Sequence, residues 1–487
     1  MIGKNYVNGK FYVSESDHSF GNVDPCTEKH LGEFRNTTEE EIDEAYDAAR
    51  KAFYDWRKIS RVQRAEYLYE VAKLIEQRRE QLAKIISMET GKNYNESIAE
   101  VNEALHMAQY AFGSGRTPQG EAVASEISEK DSYMLRKPKG VVAVISPWNF
   151  PLAIGAFWCA APAIVEGNTV ILKPSEDAPW VSQVAMQIYH DAGIPPGVIN
   201  MVHGDGNVGD YLARKDVDHI CFTGSAEVGQ HIRRICADSW HKTCSCEMGS
   251  KSAVVVFEDA NFDLAVSAAI GSSFKLSGQR CVSAGRLLVQ RNIYDKFVEA
   301  FSHFASQIKG GDPFDDEPAY MGPLINEQQF NRVLKYNQMV REDPKASVVI
   351  DASHVRPGYF VSPMVYKTEW RDAPYLKEEV FGPHVAIIPF DTVDDAICIY
   401  NDTDYGLALG VVTEDFKKAR ACRDRCDYGM CYWNGGSIAA ESHLAFGGVK
   451  KSGNGYPSAA RTVRAVTHEV SWTVNHAESL EFPQGMK

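Results

Sequence analysis

The stretch "VVAVISPWNFPLAIGAFWCAAPAIVEGNTVILKPSE" (Val141–Glu176) decides the fold. It opens on VVAVIS (Val141–Ser146), a β-branched run without polar alternation, the mark of a strand covered on both faces. The apolar stretch PLAIGAFWCAAPAIV (Pro151–Val165) follows. It contains two prolines and is too short to span a bilayer, so it reads as a buried helix. NTVILK (Asn168–Lys173) is a second strand of the first kind. Strand, buried helix, strand is one unit of a parallel sheet.

The same alternation extends downstream. A helix from Trp180 to Asp191 leads to GVINMV (Gly197–Val202), and a further helix leads to HICFTGS (His219–Ser225). A second series begins at SAVVVF (Ser252–Phe257) and continues through a helix Leu264–Phe274, the strand RLLVQ (Arg286–Gln290) and a helix Tyr294–Ile308. The expected fold class is therefore α/β, with two doubly wound parallel-sheet domains meeting near Met248–Lys251. Such sheets bind ligands at the carboxyl ends of their strands. Upstream, TTEEEIDEAYDAARKAF carries a capping box from Thr38 to Glu41, and a second long helix is expected from Val62 to about Glu89. The segment Ser125–Lys137 and the β-rich C-terminal stretch could form a small β flap, since an isolated strand needs a partner. That flap is expected to pair across subunits.

The bulk properties narrow the function. A chain of 487 residues exceeds one simple core, and 44% hydrophobic and 24% charged residues describe an ordinary globular protein. The formal net charge is −14 with no long basic run, which argues against a nucleic-acid partner. No stretch suits a membrane span and the N-terminus lacks a hydrophobic signal core, so the expected location is cytoplasmic. Eleven cysteines without a C-x-x-C read as reduced and inert, with no metal site expected. Cys281 is the exception: LSGQRCVSAG (Leu276–Gly285) sets it in a loop of small residues between a helix and a strand.

Several motifs have two readings. GDGNVG (Gly204–Gly209) fits a dinucleotide pattern but lacks its acidic partner, so a plain glycine turn stands beside phosphate binding. GSAEVG (Gly224–Gly229) lies where a strand gives way to a helix, and its free N–H groups suit a phosphate. LKPSE (Leu172–Glu176) is either a solvated turn or the place where Lys173 and Glu176 hold ribose hydroxyls. A carboxylate there favours NAD over NADP. SPWNFP (Ser146–Pro151) is either a rigid turn or a device that aims the Asn149 amide at an oxyanion. Glu247, in CEMGSK, matters if a nucleophile lies near enough to need a base.

Taken in order, PWNFP, LKPSE, FTGSAEVG, EMGSK, GQRC, EEVFGP, NDTDYGLALG and FGGVKKSGNG resemble the sequence blocks of the aldehyde dehydrogenase superfamily, from about residue 5 onward. The resemblance implies an NAD-dependent enzyme (NADP being possible) with Cys281 as nucleophile, passing through a thiohemiacetal and a thioester. It implies Asn149 as oxyanion donor together with the Cys281 N–H, and Glu247 as the base for thioester hydrolysis. Lys173 and Glu176 would contact the adenosine ribose, and Gly224 and Ser225 would form the pyrophosphate turn. Glu379 would hold the nicotinamide ribose, with Phe381 and Trp148 beside it. The implied domains are a cofactor domain (1–124 and 138–247), a catalytic domain (248–440), an oligomerisation flap (125–137 and 465–487) and a return segment (441–464). A homodimer or homotetramer is implied too.

Three positions depart from the family pattern. Ser250 replaces a glycine, Ala445 replaces a proline, and the second glutamate common near Ala460 is absent. By the same resemblance the substrate pocket falls at Phe150, Phe157, Lys275 and the loop ending at Phe446. Lys275 stands six residues before Cys281, where semialdehyde oxidisers carry a base for the substrate's distal carboxylate, although Phe157 occupies that subgroup's other basic position. Its alternative is a cation capping a helix end. The tail from Ser452, with EMG and DDEPAYMGPLINE, looks similar to the succinylglutamic semialdehyde dehydrogenase branch. The expected substrate is an ω-semialdehyde bearing a carboxylate. A general aldehyde dehydrogenase, a CoA-acylating enzyme and a non-catalytic relative are the alternatives. Arg280 is expected to be structural, because neighbouring side chains on an extended segment point apart.

Overall fold

The computed structural model describes residues 1–315, 319–456 and 458–480. Residues 481–487 of the expected flap, part of DDEPAYMGPLINE and Pro457 in the tail lie outside them. The first sheet has five parallel strands, in the spatial order Ile199–Met201, Thr169–Lys173, Val141–Ile145, His219–Thr223 and Thr243–Glu247. Winding outward from Val141–Ile145 in both directions leaves a crevice at the carboxyl ends, where the order reverses. The β-branched runs predicted this: Val141, Val142, Ala143 and Val144 are all buried. Antiparallel strands Asn5–Val7 and Lys10–Tyr12 extend one edge. The other edge receives Gly453–Asn454, which pairs Gly453 with Glu247.

The second sheet runs Ser347–Ile350, Met364–Lys367, His384–Phe390, Arg286–Gln290, Ala253–Val256, Ala408–Val412 and Met430–Trp433. All its pairings are parallel except the first, which is antiparallel. A separate three-stranded antiparallel sheet joins Thr467–Asn475, Lys130–Pro138 and Gly120–Val123. The fold is thus α/β with two doubly wound sheets and a small β flap.

Two elements differ from expectation. The helix expected from Val62 to Glu89 is two helices, Arg61–Gln77 and Arg79–Thr90, broken at Arg78 where ψ reaches 14°. Both halves bury apolar faces, so the break changes direction without exposing either face. The apolar helix begins as a wide π turn, Ala153–Cys159, and only then becomes α-helical, Ala160–Val165. Pro162 has no N–H to donate to Trp158, and the Thr462 hydroxyl bonds that carbonyl instead at 2.7 Å.

Candidate active site

Cys281 follows an unusual turn. Leu276, Ser277 and Gly278 all have positive φ, at 53°, 53° and 71°. Left-handed geometry costs L-residues about 1–2 kcal/mol each, so surrounding contacts must hold the turn. The Ser277 hydroxyl donates to the Gly322 carbonyl at 2.7 Å, and the Leu276 N–H donates to the Glu96 carboxylate. Buried Gln279 accepts from the Ile325 N–H at 3.0 Å. The chain turns again as the Ser283 N–H reaches the Arg280 carbonyl. The segment is therefore not extended, and Arg280 takes its own direction to pair with Glu96 at 2.9 Å.

The loop delivers Cys281 into a cleft of about 650 Å³ at the crevice of the first sheet. Trp148, Asn149, Gly224, Ser225, Glu247, Glu379 and Phe381 line the same cleft. Asn149, held after the strand Val141–Ile145, donates its amide to the Gln279 carbonyl at 3.0 Å, and a second amide proton remains available. Trp148 and Phe381 meet edge to face at 5.5 Å. The Glu379 carboxylate accepts the Ser250 N–H at 2.7 Å, and burial pushes its pKa up to about 7.

Glu247 ends its strand in full burial. Among the described residues both its carboxylate oxygens lack a hydrogen-bond partner, and burial raises its pKa well above the usual range. Gly447 leaves room for this carboxylate: a Cβ there would lie 2.8 Å from Oε1. The Cys281 thiol is also raised, first by burial and then by Glu247 and Glu379. The N–H groups of Val282 and of Cys281 itself act in the opposite direction. Ser250 joins the two loops: its hydroxyl donates to the Cys281 carbonyl while its N–H holds Glu379.

The cleft has the chemistry of a dinucleotide site. At its floor the Ser225 side chain caps the helix Ala226–Ala237, and the buried Thr223 hydroxyl is unpartnered. GDGNVG differs, since Asp205 caps the helix Gly206–Arg214 and its carboxylate already accepts the Asn207 and Val208 N–H groups. An anion there would face a negative charge, so this motif starts a helix and is no phosphate cradle. Lys173 ends its strand buried, bonded to the Pro174 carbonyl at 2.9 Å and to half-exposed Glu176 at 3.4 Å. The neighbouring Asp177 lines the cleft and accepts from Asn326 of the second lobe at 3.1 Å. A pyrophosphate at Ser225 and a ribose at Glu379 fit these residues.

The pocket residues divide. Phe150 lies under the Lys92 ammonium at 4.1 Å and the Arg280 guanidinium at 5.3 Å. Phe446 lines a second cavity of about 160 Å³ with Met430, Tyr432 and Leu444, and packs on Trp158. Lys275 ends the helix Phe262–Phe274 with its ammonium 4.5 Å from the Tyr320 ring centre. Phe157 joins none of them: the π turn directs it into the core, stacked on Tyr189 at 5.7 Å. The sequence reading missed the helix Glu327–Glu342, which walls the cleft with Gln329, Arg332 and Lys335. An ordinary helical pattern offers no local signal for that. Among the described residues no cluster suits a metal ion, and no helix is long and apolar enough to cross a membrane.

The chain is 33% identical over 457 residues to the α-ketoglutaric semialdehyde dehydrogenase of Bacillus subtilis, covering 92% of this chain and 93% of that one. It is 36% identical over 461 residues to aldehyde dehydrogenase [NAD(P)+] 1 of Saccharomyces cerevisiae, covering 92% and 90%. The crystal structure of Staphylococcus aureus betaine aldehyde dehydrogenase in complex with NAD+ superposes with a TM-score of 0.92 at 30% identity, covering 98% and 96%. The profile of the aldehyde dehydrogenase family matches residues 12–471, every parallel strand of both sheets and the residues named for the cleft included, and the chain belongs to that family.

Proposed function

We propose that this protein oxidises an aldehyde to a carboxylic acid with NAD, through a covalent intermediate on Cys281. The observation that carries this reading is the cleft, which gathers Cys281, Asn149, Glu247 and Glu379 within one enclosure. The Cys281 thiol gives up its proton to solvent, Sγ adds to the aldehyde carbon, and the Asn149 amide and the Cys281 N–H stabilise the resulting oxyanion. When bound, the oxidised nicotinamide would accept the hydride that leaves the thiohemiacetal carbon as the thioester forms; Glu379 would hold its ribose, Trp148 and Phe381 would contact the nicotinamide, and Gly224 and Ser225 would hold the pyrophosphate. Glu247 then takes a proton from the water that opens the thioester. Lys173 and Glu176 serve the adenosine ribose, and the Glu176 carboxylate favours NAD over NADP.

The substrate proposed is an ω-semialdehyde bearing a carboxylate, with Lys275 as its distal partner. Support comes from the place of Lys275 six residues before Cys281 and from the semialdehyde activity named for the Bacillus subtilis relative. The flap is proposed to join two or four chains. The test measures NADH formation on aldehydes with and without a terminal carboxylate, in wild type, Cys281→Ala and Lys275→Ala, each with and without CoA. Cys281→Ala is expected to abolish oxidation, and CoA to be dispensable. Lys275→Ala should lower kcat/KM on the carboxylate class by about tenfold while sparing the other class. Equal kcat/KM on both classes in wild type would remove the carboxylate assignment, and undiminished oxidation by Cys281→Ala would remove the mechanism.

A further inference from the structure

The helix Tyr94–Ser114 carries two buried carboxylates one turn apart, Glu96 and Glu100, which the mechanism above does not use. Each reaches a different catalytic loop. Glu100 pairs with the fully buried Lys92 ammonium and accepts the Leu152 N–H at 2.8 Å and the Ala153 N–H at 3.2 Å. Lys92 in turn donates to the main-chain carbonyl of Asn149 at 2.8 Å. Glu96 accepts the Leu276 N–H at 3.1 and 3.2 Å and the Arg280 guanidinium at 2.9 Å. It thereby secures both ends of the left-handed turn that precedes Cys281. The two cations these carboxylates hold also converge on one ring, Phe150, beside Asn149.

We infer that this helix is the jig that registers the oxyanion donor with the nucleophile, with Glu100 and Glu96 as its positioning residues. The inference rests on the roles proposed above for Asn149 and Cys281. Asn149 and Cys281 lie 132 positions apart in the chain, on loops of different sheets. Residues four apart on one helix keep a fixed separation, so both loops acquire a common reference. The anions do this without access to solvent, where a charged hydrogen bond is strong and its geometry narrow.

A double-mutant cycle tests it. Glu100→Gln keeps the acceptor for Leu152 but loses the charge that holds Lys92, and should lower kcat about tenfold. In an Asn149→Ala background the same change should cost less than about twofold, because a group that acts through Asn149 has nothing left to position. Lys92→Met is the second arm, with the same non-additivity expected. On the other loop, Glu96→Gln should slow iodoacetamide labelling of Cys281, and Glu96→Asp should restore part of the rate. The KM for NAD should stay unchanged throughout. Equal losses in both backgrounds, or full activity and normal labelling in the glutamine variants, would overturn the inference while leaving the mechanism standing. An unchanged kcat in Asn149→Ala alone would overturn the oxyanion assignment, and the jig with it.

Discussion

At the residue scale the site depends on acids whose burial opposes ionisation. Glu247 has no hydrogen-bond partner among the described residues, so nothing offsets the cost of its charge, and Cys281 beside it is raised by the same burial. A protonated carboxyl cannot take a proton from water. The rate of thioester hydrolysis should therefore climb about tenfold per pH unit on an acid limb that lies above the ordinary carboxylate range. Glu247→Gln should remove that limb along with most of the rate. A wild-type profile with no acid limb above the ordinary carboxylate range would contradict the assignment. The sign for stability is opposite: because burial raises the folded-state pKa, stability is lost as pH rises from the ordinary carboxylate range up to the folded-state value. Cys281, Glu247 and Asn149 could be singled out from the sequence because the ordered blocks that hold them resemble those of one family, while each block alone kept a second reading. Ser250 could be seen only as a departure. Its tie to the Cys281 carbonyl spans 31 positions, and no local pattern encodes it.

At the element scale, local rules worked where the chain reads its own neighbours. The Thr38–Glu41 capping box is present in both directions, opening the helix Glu39–Trp56. Thr38→Ala should destabilise the protein by about 1 kcal/mol in urea unfolding without changing KM, because the helix packs behind the sheet and away from the cleft. A loss within error would mean that the helix start is held by its tertiary contacts alone. The long helix expected from Val62 shows where such rules fail. Its apolar spacing continues through Arg78 without a proline or glycine, and the break arises from packing two faces against one layer. The π turn at Ala153–Cys159 is a similar case. It moves Phe157 out of the expected pocket, and helical spacing alone carries no sign of it.

At the scale of the whole molecule, the flap is the element least explained by one chain. Among the described residues its strand Thr467–Asn475 pairs on one side only, and it presents Trp472 at 59% exposure. A long edge strand with an exposed tryptophan calls for a partner. Light scattering should return the mass of two or four chains, and Trp472→Glu should shift the population toward single chains. A wild-type protein that runs as one chain at micromolar concentration would refute the proposed assembly. The sequence by itself determined the two alternating series and the strand ends where the cleft opens. These follow from periodicity and short motifs, which depend on neighbours a few positions apart. Only the tertiary structure decided which wall faces the cleft, where Phe157 points, and how one helix ties Asn149 to Cys281. Those contacts join residues far apart in the chain, and their geometry exists only once both sheets have packed.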